Sequence, residues 1–509
     1  MSDSKNFYVT TPIYYVNDVP HIGHMYTTLA CDVLARFMRL DGRNVKFLTG
    51  TDEHGQKVEK AAINAGKDPQ EFVDKVSQNF RDLVTFMQFS NDDFIRTTEP
   101  RHKTAVNSLW QKLLDNDEIY LGGYSGWYSV RDETFHQESE LINGKAPTGA
   151  DVEWVTEPSY FFRLSRWQDR LLEFYQANPD FIAPQSRRNE VLRFVEGGLN
   201  DLSISRTSFK WGIPVPNDPD HIMYVWLDAL TNYISALGYP DVENADFKAF
   251  WPQSLHIVGK DILRFHAVYW PAFLMAAGLP APSRVFAHGW WTNAGEKISK
   301  SLGNAIDPIK LVETYGRDPV RYFFIREVPF GNDGDFSESA LVGRLNSDLA
   351  NSYGNLVQRV LSFIAKSCEG ILPAPDNLRL PDKVLLSKVT DALPNLKIEI
   401  EKQALHKVAE EIWQVIAEAN KYVDEQKPWS LKIEDPRRMN TILYVLAETI
   451  RQIAILTQPL LPEASQRILD QLNVAREMRT FAHLNVPLTP GTIFPPPEGV
   501  FPRWVDKEI

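Results

Sequence analysis

Cysteine is nearly absent: only Cys31 and Cys368 occur in 509 residues. Two thiols cannot build the disulfide framework of a secreted scaffold, nor the four-thiolate cage of a structural zinc knuckle. Such scarcity predicts a cytoplasmic chain. Net positive charge is lacking too, since Lys+Arg total 54 against 66 Asp+Glu, a formal net charge of −12. An acidic chain does not coat nucleic acid indiscriminately, although local basic patches can still read a particular RNA. No secretory signal opens the sequence, because residues 1–6 lead straight into a strand-like run. Long apolar runs are missing as well. The longest charge-free stretch, 265–283, contains His266, Pro271, Pro280 and Pro282, which marks an interrupted core segment and no membrane span. No internal repeat is visible.

What remains is an ordinary globular composition, 43% hydrophobic and 24% charged, with length for two to four domains. The early chain alternates strand and helix signals. Residues 7–11 (Phe-Tyr-Val-Thr-Thr) read as a strand. Met25, Leu29, Val33 and Phe37 recur at helical spacing within 23–40, and 45–48 reads as the next strand, closed by the turn-rich Gly50-Thr51-Asp52-Glu53-His54-Gly55. That order predicts a parallel sheet with ligands at the carboxyl ends of its strands. From about 117 to 218 aromatic residues, turn signals and charges crowd together, which predicts an insertion with its own small fold. Strand signals return at 255–258 and 284–287. After Phe336 the periodicity is helical, over 341–366, 384–424, 440–456 and 463–472, and Pro495-Pro496-Pro497 predicts an extended tail.

Two short motifs carry chemistry. His21-Ile22-Gly23-His24 stands between the first strand and the first helix, where unpaired helix amides bind phosphate and glycine permits close approach. Taken alone, the tetrapeptide fits a pair of ordinary turn histidines equally well. Lys297-Ile298-Ser299-Lys300-Ser301 follows the turn 293–296; two lysines and two hydroxyls on a loop can clamp a polyphosphate and stabilise its developing charge.

Together and in this order, the motifs resemble the two signatures of class I aminoacyl-tRNA synthetases. The wider context resembles the methionyl-tRNA synthetases of the bacterial type. It includes Thr11-Pro12-Ile13-Tyr14-Tyr15-Val16-Asn17, the segment 50–55, Tyr224-Val225-Trp226-Leu227-Asp228-Ala229-Leu230, Val258-Gly259-Lys260-Asp261-Ile262 and Lys427-Pro428-Trp429. The match runs over essentially the whole chain, with Ile298 in place of the usual methionine. A small-molecule nucleotidyltransferase shares the His-x-Gly-His turn but needs no large helical RNA-binding region.

The resemblance implies a Rossmann-like parallel-sheet catalytic domain split by a small α+β insertion, followed by an all-α helical-bundle anticodon-binding domain. The expected boundaries are 1–116 and 219–300 for the two catalytic halves, 117–218 for the insertion, 301–340 for the signature loop and stem-contact region, and 341–509 for the helical domain and tail. It implies a ligase that activates L-methionine with ATP and Mg²⁺, then loads tRNA(Met). His21, His24, Lys297 and Lys300 are the expected catalytic residues, with Gly23, Gly259 and Asp261 joining them around ATP. Ile13, Tyr15, Asp52, Trp226, Ala229, Leu230, Tyr233, Ile262 and His266 are expected to hold methionine. Among these, Ile262 and His266 stand one helical turn apart, and sulfur beside aromatic edges is a favourable contact of about 1 kcal/mol. Asn355, Arg359, Pro428 and Trp429 are expected to read the anticodon. Ser129 and Asp132 stand where many relatives place their first cysteine pair, so no structural zinc is expected, and the end of the chain shortly after the helices suggests a monomer.

Overall fold

A seven-stranded sheet built on parallel pairing forms the centre of the first unit. A computed structural model describes residues 5–16, 19–132, 134–293, 295–298 and 305–505. The chain divides into two compact units, one of Asn6–Cys31 with Lys46–His288, the other of Met1–Lys5, Asp32–Val45 and Gly289–Ile509.

In the first unit the strands are β1 (Asn6–Thr10), β2 (Tyr14–Tyr15), β3 (Asn44–Asp52), β4 (Asp93–Arg96), β5 (Ile182–Ala183), β6 (Ser254–Gly259) and β7 (Arg284–His288). Across the sheet β3 neighbours β1, β1 neighbours β6, β6 neighbours β7 and β7 neighbours β5, while β2 and β4 both pair with β3. The chain leaves β1 toward β3 through helix α1 (Ile22–Leu40) and later adds β6 on the other side of β1. The order therefore reverses beside β1, and the crevice at that reversal is where such sheets bind ligands. Burial explains the strand compositions. Phe7, Tyr8, Val9, Leu255, Ile257, Val258, Val285 and Ala287 are all shut from solvent, as a sheet covered on both faces requires.

Two local expectations change. Residues 50–52 are strand and no turn: Gly50 pairs with Ile95 and Thr51 with Arg96 of β4, and on the other side Asp52 pairs with Tyr15 of β2. A Cβ at Gly50 would lie 2.0 Å from the Ile95 carbonyl oxygen, so only glycine fits that approach. The insertion forms an antiparallel sheet in which Ile119–Ser129 pairs along its length with Glu153–Phe162, flanked by Thr134–His136 and Leu202–Ser203. At its tip the Ser129 hydroxyl donates to Asp132 at 3.0 Å and accepts the Asp132 amide at 3.1 Å. Arg131 donates to the Thr148 carbonyl at 2.6 Å. These polar contacts tie the turn at the positions where thiolates would stand.

In the second unit, Trp291–Asn293 and Glu296–Lys297 form a hairpin, Thr292 opposite Lys297. The backbone of Lys297 is thus strand where the sequence suggested loop, because Gly295 at φ +78° supplies the turn. Beyond lie α2 (Arg317–Arg326), α3 (Asn355–Ser367), α4 (Leu380–Glu401), α5 (Leu405–Gln426), α6 (Pro436–Thr457) and α7 (Pro462–Gln471). The periodic run 384–424 is two helices and not one: Gln403 takes a left-handed φ of +56° between α4 and α5, a break that neither glycine nor proline announces. The tail runs extended but anchored, with Phe494 donating to the Gly370 carbonyl at 2.8 Å and the Val500 carbonyl accepting from Arg467 at 2.8 Å.

Arg321 of α2 is wholly buried and meets the buried Asp32 carboxylate at 2.7 Å, while also donating to the Pro459 carbonyl at 2.8 Å. Removing one member of a buried pair strands the other charge. Arg321→Met should lower the urea midpoint of the intact chain by the equivalent of about 3 kcal/mol; an unchanged midpoint would show that the pair contributes nothing net.

Candidate active site

The start of α1 is built around its two histidines. The Gly23 amide donates to Nδ1 of His21 at 3.0 Å, and the His21 amide donates to Nδ1 of His24 at 3.1 Å. Each Nδ1 is an acceptor, so each neutral ring carries its hydrogen on Nε2. The ring centroids lie 4.0 Å apart. Burial, then the neighbouring His21, pushes the His24 imidazolium well below the ordinary histidine range. At Gly23 a Cβ would sit 2.8 Å from Cε1 of His21, so a larger residue would displace that ring. The structure thus refines the expectation of free helix amides: the Gly23 amide is engaged, and the motif's donors are imidazole Nε2–H groups. Tyr14 and Phe80 box His24 with ring centroids at 4.9 and 5.2 Å.

The methionine-pocket candidates converge. Ile13, Tyr15, Trp226, Leu230, Tyr233 and Ile262 belong to one apolar cluster. Trp226 stacks on Phe265 at 3.8 Å and meets the His266 ring edge-on at 6.2 Å. Ala229 is buried beside them in the short helix Val225–Leu230, which breaks at Thr231 before Asn232–Ser235 presents Tyr233. His266 donates from Nδ1 to the Ile262 carbonyl at 2.9 Å, which leaves Nε2 to accept the Tyr233 hydroxyl at 2.7 Å. Burial drops the His266 imidazolium to about 4, so the ring is neutral at physiological pH. Behind it the equally buried His256 accepts or donates at Thr10 Oγ1 over 2.8 Å and stacks on Tyr233 at 4.1 Å. Ile262 ends a 3-10 turn and His266 lies in the π-helical segment Phe265–Tyr269, so the stretch that joins them is not the regular α-helix that the spacing suggested. Asp52, nine-tenths buried, lies opposite Tyr15 in the β2–β3 ladder. At the end of β6, a Cβ on Gly259 would lie 2.6 Å from Oδ1 of Asp261, so glycine admits that exposed carboxylate.

One cluster escaped the sequence reading. Asp228, between Trp226 and Ala229, is fully buried and accepts from Nδ1 of His54 at 2.6 Å and from Nε2 of His102 at 2.7 Å. Burial opposes its charge, but the two imidazoles prevail and hold its carboxyl down at about 2. His102 reaches Ser235 Oγ at 3.1 Å, and the His54 carbonyl accepts from Tyr15 Oη at 3.0 Å. The network therefore ties the chain just past Asp52 to both short helices of the pocket. The only local signal was a charged residue on an otherwise apolar face, and its partners lie 174 and 126 residues away.

In the second unit, Arg359 and Trp429 come together, the guanidinium 5.5 Å from the ring centroid. Trp429 is 48% exposed, unusual for so large an apolar side chain. It follows Lys427, held left-handed at φ +44°, and Pro428. Asn355 is exposed at the first turn of α3, one turn before Arg359. Lys300 lies outside the described residues, as do Asn17, Ser299 and Ser301, and only the backbone of Lys297 is described. Among the described residues, no three His, Cys, Asp or Glu side chains are grouped to hold a metal ion, and no helix is long and apolar enough to cross a membrane.

A doubly wound sheet with a histidine pair at its reversal and a helical region after it is the arrangement of a class I synthetase, and comparison with known proteins agrees. The family model "tRNA synthetases class I (M)" matches residues 7–153 and 137–361, and "Anticodon binding domain of methionyl tRNA ligase" matches 372–509. The methionine–tRNA ligase of Rickettsia bellii is 59% identical over 98% of this chain and 99% of its own, and that of Brucella melitensis 53% over 99% of each. The structure of Mycobacterium tuberculosis methionyl-tRNA synthetase in complex with methionyl-adenylate superposes with a TM-score of 0.96 at 51% identity, over 98% of this chain and 100% of that one. The chain belongs to the methionine–tRNA ligases.

Asp228→Asn cannot accept from both imidazoles and loosens the pocket's two short helices. We expect the KM for methionine in pyrophosphate exchange to rise tenfold or more, the effect of about 1.4 kcal/mol, with the KM for ATP within twofold. An equal rise in both constants would refute a role confined to the pocket.

Proposed function

We propose that the residues assembled above divide the methionine–tRNA ligase reaction between them as follows. In the first step a carboxylate oxygen of methionine attacks the α-phosphorus of ATP, forming methionyl-adenylate and releasing pyrophosphate. Negative charge grows on the phosphate oxygens, so the chain needs positioned donors and no nucleophile of its own. His21 and His24 supply them as neutral imidazoles. That is the observation carrying this reading: both Nδ1 atoms are occupied by backbone amides, so both rings are fixed as Nε2–H donors at the mouth of the sheet's crevice. Lys297 and Lys300 add positive charge, and ATP enters as its Mg²⁺ complex. Gly259 and Asp261 receive the ribose, the carboxylate accepting from its hydroxyls as in dinucleotide sites.

Methionine brings an ammonium, a carboxylate and an unbranched thioether. Asp52 pairs with the ammonium. The side chain enters among Ile13, Tyr15, Trp226, Ala229, Leu230, Tyr233, Ile262 and His266, whose aromatic edges suit sulfur. A neutral His266, held by Tyr233, presents no charge to the thioether.

In the second step the terminal adenosine's 2′-hydroxyl attacks the adenylate carbonyl, and AMP leaves. The segment 341–509 holds the anticodon, splaying bases onto Trp429 with Arg359 and Asn355 at their edges. The segments 1–116 and 219–300 form the catalytic domain, 117–218 the insertion, and 301–340 the stem-contact region. The enzyme works as a cytoplasmic monomer without structural zinc.

Lys300→Ala should lower methionine-dependent pyrophosphate exchange several tens-fold, the loss of one transition-state contact; unchanged exchange removes that lysine from the mechanism. Trp429→Ala should raise the KM for tRNA by tenfold or more, on the scale of one lost stacking contact, and leave exchange intact. Equal damage to both steps would assign the tryptophan a structural role instead.

A further inference from the structure

The catalytic unit carries a second recess, a cleft of 470 Å³ lined by Ser186, Glu190, Arg193, Phe194 and Arg264. Four of the five belong to the helix Gln185–Glu196, which follows β5. Arg264 belongs to the segment after β6, two residues beyond Ile262 and two before His266. It stands outside both the phosphate motif and the methionine pocket.

Its chemistry is specific. The Arg264 guanidinium lies 4.3 Å from the centroid of the Phe194 ring, a cation–π arrangement that holds the guanidinium plane in place. Arg193 and Arg264 are both exposed, and among the described residues neither has a carboxylate within ion-pair distance. The one acidic residue lining the cleft, Glu190, is paired with Arg187 at 2.9 Å. The chain carries a net charge of −12, and elsewhere in this unit Arg96 pairs with Glu53, Arg101 with Asp93 and Arg163 with Asp117. Two unmatched guanidinium groups around an aromatic ring leave a cleft that attracts an anion and offers planes for stacking. A phosphate with a planar base attached satisfies both, and unpaired nucleotides are recognised in this way.

We infer that this cleft receives the single-stranded 3′ end of the tRNA, with Arg193 on its phosphates and Arg264, backed by Phe194, stacking against a base. The inference rests on the ligase reading, since only the transfer step requires that end beside the adenylate. Guanidinium suits the task better than ammonium, because it presents a plane as well as a charge. Ser186 adds a hydroxyl at the rim. Methionine activation makes no use of the cleft.

The test separates the two steps and the two ends of the tRNA. Arg193→Ala and Arg264→Ala, singly and together, should leave methionine-dependent pyrophosphate exchange within twofold of the parent. The double variant should lose tenfold or more in kcat/KM for tRNA charging, and Arg264→Lys should recover only part of it. Binding of intact tRNA is then compared with binding of tRNA trimmed of its unpaired 3′ nucleotides. Trimming should weaken binding to the parent, whereas the double variant should bind both forms alike. The inference is overturned if charging is unaffected, or if the variants weaken the trimmed tRNA as much as the intact one, which would make the cleft a contact for another part of the RNA. Parental enzyme showing no methionine-dependent exchange would instead overturn the ligase reading itself.

Discussion

The apolar cluster proposed to hold methionine depends on one buried carboxylate. Asp228 sits where charge is most costly, and it remains ionised because two imidazole N–H groups, at 2.6 and 2.7 Å, replace the water it has lost. Its reach is wide for a single side chain. Through His54 it secures the chain that leaves β3 just beyond Asp52, and through His102 and Ser235 it secures the segment bearing Tyr233. Its own backbone lies between Trp226 and Ala229. A pocket that must distinguish an unbranched thioether by shape needs walls that do not drift. Short helices of six and four residues cannot provide such rigidity from their own hydrogen bonds.

Around that anchor the site separates charge from shape. The pocket walls are neutral: burial keeps His266 unprotonated, and Tyr233 fixes its tautomer by donating to Nε2. At the start of α1 burial likewise keeps His24 neutral, and its function as a donor survives because Nδ1, not Nε2, takes the backbone amide. Two histidines in different parts of one unit thus use the same device, a committed Nδ1, for opposite purposes. One accepts from a tyrosine inside the apolar cluster, and the other keeps its Nε2–H as a donor.

The second unit is held differently. Arg438 grips the buried Asp382 through both carboxylate oxygens, which Tyr422 also reaches at 2.6 Å, and this fixes α4, α5 and α6 around the Lys427-Pro428-Trp429 turn. Trp429 can therefore stay half exposed on a rigid base, with Arg359 beside it. The acidic balance of the chain acquires a meaning here. On a repulsive background, the proposed contact of Arg359 and Trp429 with RNA is a local one.

Local patterns determined a good deal of this. The strand at 7–11, the helix over 23–40, the parallel order and the helical region after Phe336 were legible, because periodicity and short motifs report burial and backbone conformation directly; the convergence of Ile13, Tyr15, Trp226, Leu230, Tyr233 and Ile262 was implied only by the resemblance to the family. Tertiary structure alone decided the rest. It extended β3 to Asp52 by supplying β4 and β2 as partners, and it broke 384–424 at Gln403, where no helix-breaking residue stands. It also brought His54 and His102 to Asp228, and Arg359 to Trp429. The physical reason is the same in each case. A hydrogen bond or ring contact between residues far apart in the chain leaves no period in the sequence, and only the folded backbone sets which distant side chain arrives to complete it.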